Sequence, residues 1–198
     1  MNGRERKNTN IQCGWIEQIE NYACRDEREE TEKRIILELA FKEGERLLTR
    51  DCAYAHMTAS SIILNADRSK TLMVWHNIYR SWSWTGGHCD GDPDFEAVAR
   101  REAEEETGIK SLSPIYTGIA SLEILPVWAH VKRGRTVGSH LHLNISYLFE
   151  ANMDEKIRTA PDENNGVGWI DVSQIGQFCS EPDMIPVYMK LINRANNW

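Results

Sequence analysis

The sequence predicts an α/β domain preceded by a helical segment. Three patterns carry that reading: helical periodicity before residue 50, short β-like runs between turn signals after residue 51, and one acidic helix enclosed among those runs. The organisation follows as an N-terminal helical extension over residues 1–50 and a main domain over residues 51–198.

Residues 1–10 are polar and read as a frayed end. From residue 11 to about residue 50 the chain lacks Pro, is dense in Glu, Lys and Arg, and spaces its apolar residues as a helix does. Trp15, Ile16, Ile19 and Tyr22 predict a short helix. Ile35, Ile36, Leu39, Ala40, Leu47 and Leu48 predict a longer one, with Glu29/Lys33 and Glu30/Arg34 as i,i+4 pairs on its wet face. Left open, this stripe would form a patch large enough to aggregate, so it must dock on its own domain or on a second copy, and a homodimer is expected.

Residues 57–64 and 71–76 read as a hairpin across Asn65-Ala66-Asp67. After Trp82, Ser83 and Trp84 comes Gly86-Gly87, read as a glycine turn, and the stretch from His88 to Pro93 cannot continue a strand. Asp92 as N-cap and Pro93 at the first helical position start a helix that runs to about Thr107, where Gly108 stops it. Residues 119–126 predict a further strand. Residues 140–150 predict a strong one, whose strict alternation puts Leu141, Leu143, Ile145, Tyr147 and Phe149 on one face and His140 and His142 on the polar other. Between these two lies the basic loop Lys132-Arg133-Gly134-Arg135. A short strand at 167–172, a helical turn at 172–178 and a C-terminal helix at 184–195 complete the chain.

Lys and Arg total 23 against 30 Asp and Glu, a net charge of −7, which argues against a nucleic-acid coat or a basic membrane binder. No run approaches the roughly 18 apolar residues of a membrane span, and no apolar core follows the polar N-terminus, so a cytoplasmic protein is expected. The five cysteines are odd in number, scattered and without a Cys-x-x-Cys pair, as expected of unpaired thiols rather than a disulfide framework or a zinc knuckle.

Chemistry concentrates in the central helix. At about 100° per residue, Phe95, Val98, Ala99 and Ala103 share one side, with Glu102 and Glu106 projecting from its middle and Glu105 flanking it. Residues 88–109 hold eight acids (Asp90, Asp92, Asp94, Glu96, Glu102, Glu104, Glu105, Glu106) against Arg100 and Arg101, which is −6 of the total −7. Burying several like charges unpaired would cost several kcal/mol each, so a cation is needed among them. Carboxylates suit hard divalent ions such as Mg2+ or Mn2+. The competing reading is a solvated acidic helix with Arg101/Glu105 and Arg100/Glu104 pairs.

Gly87, five residues, Pro93, seven residues and then Arg101-Glu102-Ala103-Glu104-Glu105-Glu106-Thr107-Gly108-Ile109 resemble the Nudix box, matching eight of its nine defined positions. Only the first Glu departs, where this chain has Pro93. The stretch from His56 to Ser60, the approach from Trp82 to His88, and Asp162-Glu163-Asn164 before Trp169 resemble a bacterial branch of the same family. The resemblance implies a mixed β-sheet sandwiched between α-helices and a metal-dependent hydrolase that cleaves the pyrophosphate bond of a nucleoside diphosphate linked to another moiety. Position by position, it implies Glu102, Glu105 and Glu106 as metal ligands, the Gly86 carbonyl as a fourth, and Arg101 orienting Glu102. Asp92 or Asp94 could stand in for the missing Glu. The general base is Glu102 or Glu163, with Glu102 favoured.

Substrate contacts are expected from His88, from Arg133 and Arg135 of the basic loop, and from His140 and His142. Trp82, Trp84 and Trp128 could stack on a nucleobase, although core packing accounts for most Trp. His56 and Thr58 start the first strand. Two other functions compete: an isomerase like isopentenyl diphosphate isomerase, suggested by Cys89 and the six histidines, and a sensor that binds a nucleotide derivative without turnover. The complete Arg-Glu-x-x-Glu-Glu set favours the hydrolase with a small nucleotide-type substrate, and neither a nucleic-acid duplex nor a membrane is an expected partner.

Overall fold

A computed structural model describes residues 14–132 and 134–197. Helix α1 (Gly14–Asn21) and helix α2 (Glu27–Glu43) come first. Strands β1 (Ala55–Leu64) and β2 (Lys70–His76) form the expected hairpin, followed by β3 (Ser81–Ser83) and β4 (Thr85–His88). Helix α3 (Phe95–Thr107) leads to β5 (Ser113–Pro114), β6 (Ser121–Val127), β7 (His130–Lys132), β8 (Arg135–Val137) and β9 (His140–Glu150). The chain ends with β10 (Asn164–Asp171), α4 (Ile175–Phe178) and α5 (Ile185–Asn196). Among the described residues, no helix is long and apolar enough to cross a membrane.

The sheet is mixed. Its path runs β10-β2-β1-β9-β5, with β3 on β2, β4 on β1 and β6 on β9, while β7 and β8 form a separate ribbon. The β1–β9 pair is parallel from Ala55↔Leu141 to Leu64↔Glu150, and every other pair is antiparallel. Alternation along β1 sends Met57, Ala59 and Ile63 into one apolar cluster with Trp15, Ile36 and Phe95, and Ile62 and Leu64 into a second with Tyr188 and Leu191 of α5. Helices therefore cover both faces.

The N-terminal helices close the first face, so most of their stripe is covered by the chain itself, whereas Ile35, expected on that stripe, is exposed. Trp15, Ile16, Ile19, Ile36, Ala40 and Leu47 are buried in the same cluster as the strands, and Trp15 meets the Phe95 ring edge-on at 6.1 Å. Helix α2 ends sooner than periodicity predicts. Gly44, at φ 59°, caps it, and Leu47 and Leu48 follow on a 3-10 turn instead.

Glu29 also departs from expectation. Rather than pairing with Lys33 on the wet face, it is 0% exposed and accepts hydrogen bonds from Tyr22 Oη (2.9 Å), Ser121 Oγ (2.7 Å), Lys190 Nζ (3.1 Å) and Arg194 Nη1 (2.5 Å). Lys33 instead caps the Glu20 and Tyr22 carbonyls, both at 2.7 Å. Burial alone would raise the Glu29 pKa, but the hydrogen bonds from Arg194, Ser121 and the Arg25 backbone outweigh it and bring it down to about 2. A helical wheel sees only its own helix, and the cations here come from α5. Tyr22→Phe is expected to cost about 1–3 kcal/mol by removing one of these donors. An unchanged urea midpoint would show that the hydroxyl adds nothing to the network.

Candidate active site

The acidic helix is placed by its caps and its apolar side. Phe95, Val98, Ala99 and Ala103 are buried, and α3 lies against β1 and β4. Its N-cap is Asp94, whose carboxylate accepts from Ala97 N at 3.0 Å, two residues beyond the expected Asp92, so that Pro93 precedes the helix. Asp92 is otherwise engaged. One oxygen accepts from Asp94 N and the other meets Arg101 Nη1, both at 3.0 Å. Arg101 thus has a carboxylate partner although Pro93 occupies the position of the first Glu, and its action on Glu102 is Coulombic. Arg100 pairs with Glu96 rather than Glu104, at 2.8 Å.

Gly86 and Gly87 are not a turn. They lie in β4, paired with Ser60 and Ala59 of β1, and glycine is required there by close approach. A Cβ on Gly87 would sit 2.3 Å from the Glu102 carboxyl, and one on Gly86 would sit 2.3 Å from Ser60 Oγ. The Gly86 N–H donates to Glu106 Oε2 at 3.1 Å, so this strand forms the platform on which both carboxylates rest.

The platform leaves negative charge concentrated and partly desolvated. Burial pushes the Glu102 carboxyl up to about 7, assisted by Glu105 and Glu163 and opposed by Arg101. Burial also pushes Glu106 up to about 8 against the Gly86 N–H, with Glu102, Glu163 and Glu105 adding to the rise. Glu105 is exposed on the same helix. Glu163, also exposed, belongs to the loop before β10, which periodicity does not connect to α3. The connection is Asn164, fully buried, whose Nδ2 donates to the Glu106 carbonyl at 2.9 Å. No sequence signal marks this residue beyond its place in the Asp-Glu-Asn triplet. Oxygen donors concentrated in this way, with raised affinity for protons, fit a hard divalent cation.

The histidines sit deeper than an open strand face suggests. His56 is 6% exposed, and the rings of His56, His88, His140 and His142 cluster, with His56 lying 4.8, 4.7 and 5.1 Å from the other three. The polar face of β9 is an inner face, where Asn144 and Ser146 are buried against Thr58, Ser60 and Glu123. Arg135 is exposed at the turn of the β7–β8 ribbon, and Arg133 lies outside the described residues. Trp84 packs on Tyr188 and Trp82 on Phe178, which are packing roles, whereas Trp128 is exposed. Cys89 is buried, and burial pushes its thiol up to about 12, so it stays protonated.

The sequence profile of the NUDIX domain matches residues 55–191, more than half of the chain. No curated protein matches the sequence. Solved structures that share the fold include the following two. A C. elegans Ap4A hydrolase in a binary complex aligns with TM-score 0.50 and 15% identity over 72% of this chain and 98% of its own. The E. coli dihydroneopterin triphosphate pyrophosphohydrolase aligns with TM-score 0.53 and 14% identity over 72% and 96%.

Proposed function

The chain belongs to the Nudix family and is a pyrophosphohydrolase, and from that premise we propose that its substrate is a nucleoside diphosphate linked to a second moiety, cleaved with a divalent cation held by Glu102, Glu105, Glu106 and the Gly86 carbonyl. The observation that carries this reading is the pair Glu102 and Glu106, both raised toward neutral pH while resting on the same glycine platform. Such a pair is costly as plain structure and suited to receiving positive charge.

When bound, Mg2+ or Mn2+ would neutralise the pyrophosphate oxygens and make a water more acidic. The protein's own groups have separable tasks. Glu106, fixed by Gly86 and by burial, is a ligand with little freedom to move. Arg101, held by Asp92, keeps positive charge beside Glu102, and in this reading Asp92 supplies what Pro93 cannot. Glu102, near 7, can accept a proton from water at physiological pH, which is the property a general base needs. Glu163 shares the same field from the opposite loop and is the second candidate for that role. Leu48 and Arg50, at the end of the N-terminal segment, support the site as well, since Arg50 makes a bidentate pair with Asp90 at 2.9 Å and the Leu48 carbonyl accepts from Gly91 N at 2.8 Å, tethering the loop that enters α3.

The test is a phosphate-release screen with Mg2+ or Mn2+ across nucleoside triphosphates, ADP-ribose, dinucleoside polyphosphates, sugar nucleotides and NADH. Turnover of at least one class, stopped by EDTA, is expected. Full turnover in EDTA would exclude the metal-dependent reading, and no turnover in any class would exclude the proposed substrate class.

A further inference from the structure

We propose that His56, His88 and His142, joined by His140, form a second metal site for a borderline divalent ion of the Zn2+ class, separate from the carboxylate site. The ligands come from three strands. Register pairs His56 of β1 with His142 of β9, and Thr58 of β1 with His88 of β4. Cross-strand partners share a face and alternate residues do too, so His56, His88 and His142 project from one side of the sheet. Gly87, one residue before His88, turns its missing Cβ to the other side, where Glu102 lies. The imidazoles and the acidic helix therefore occupy opposite faces of the same strand pair.

Geometry then favours a metal over a packed aromatic cluster. One ring nitrogen from each of His56, His88 and His142 can be chosen so that all lie within 4.8 Å of one another. The Nε2 atoms of His140 and His142 are 3.3 Å apart. For Zn–N bonds of about 2.0–2.1 Å, tetrahedral ligands stand roughly 3.3–3.4 Å apart, so this pair is already spaced as ligands and the others need to close by up to about 1.5 Å.

His56 supplies the second, independent observation. It is 6% exposed, and neither ring nitrogen makes a well-aligned hydrogen bond, although the Cys52 backbone lies close enough to favour its protonated form. Buried polar groups are rarely left so, and an ion at the centre of the cluster would satisfy one of the two. His140 is oriented from outside, as metal-bound histidines are. Its Nδ1 bonds the Gly138 carbonyl at 2.9 Å, which places the proton there and leaves Nε2 with its lone pair toward the cluster.

The donor set selects the ion. The cluster is imidazole alone, and the nearby carboxylate of Asp90 has both oxygens engaged by Arg50. Nitrogen donors suit Zn2+, whereas Mg2+ and Mn2+ prefer oxygen. Such an ion would fasten β4 to β1 and β9 and stiffen the glycine platform beneath Glu102 and Glu106.

The experiment uses the full chain stripped of metal and then titrated with Zn2+ in excess Mg2+, followed by Co2+ as a spectroscopic probe. One equivalent of Zn2+ is expected to bind, and Co2+ should give the intense visible bands of a tetrahedral nitrogen site. His88→Gln and His142→Asn should each weaken Zn2+ binding about 10-fold to 100-fold or more, and Glu106→Gln should leave it unchanged. His88 and His142 are both half-buried, so either variant carries the test if the other impairs folding. Absence of stoichiometric Zn2+ binding, an octahedral Co2+ spectrum, or binding lost in Glu106→Gln but kept in His88→Gln would overturn the proposal. Each readout is independent of hydrolysis, so failure of the metal-dependent hydrolase reading would leave it standing.

Discussion

Glu106→Gln is expected to lower kcat/KM by at least about 10²-fold while making the metal-free protein more stable than wild type at pH 8. The opposite signs arise from one cause. In the folded chain the Glu106 carboxyl titrates near 8, against about 4.3 when unfolded. Between those values the folded state holds a proton that the unfolded state has released. Stability from the neutral group is therefore complete below about pH 4 and is lost as pH rises through 8, a difference on the order of a few kcal/mol. Glu102 acts in the same direction and ends near 7.

Glutamine keeps an oxygen for the Gly86 N–H and removes the ionisation. The difference in melting temperature between variant and wild type, followed from pH 5 to 8.5 in EDTA, should thus grow in favour of the variant. Mg2+ should reverse the order at high pH, because it binds the ionised wild-type site and stabilises by mass action. A variant that melts below wild type in EDTA at pH 8 would show that the carboxylate serves as structure rather than as a ligand.

What the sequence reveals of this site follows from the range of its signals. The acidic face of α3 is legible because helical periodicity is local: Phe95, Val98, Ala99 and Ala103 identify the buried side, and Glu102 and Glu106 fall on it. Gly86-Gly87 misleads as a turn because glycine composition does not distinguish a bend from a close approach, and the neighbour that requires it, Glu102, is fifteen residues away. Glu29 misleads more strongly. Its charge and i,i+4 spacing are those of a solvated helix, whereas its partners Lys190 and Arg194 lie on the last helix of the chain. His142 reads as solvent-facing from alternation alone, which separates two faces without saying that both are covered. Parallel pairing of β1 with β9 decides that, and nothing local encodes it.

Glu102→Gln is expected to cut kcat by about 10²-fold or more, and Glu163→Gln by about tenfold or less, if Glu102 is the base. Both carboxylates act in the same field, but their surroundings differ. Glu102 rests on Gly87, is half-buried and is held near 7, whereas Glu163 is exposed in a loop. A proton acceptor needs an affinity close to ambient pH and a fixed position, and Glu102 has both. Because Glu102 also stands among the proposed ligands, loss of activity alone would not separate the two roles. Metal titration does. A ligand defect is relieved as Mg2+ or Mn2+ is raised to saturation, whereas a missing base leaves kcat low at saturating metal with KM little changed. Persistent low kcat in Glu102→Gln assigns the base to α3. Full recovery at high metal, together with a metal-independent 10²-fold loss in Glu163→Gln, would move the role to the loop before β10.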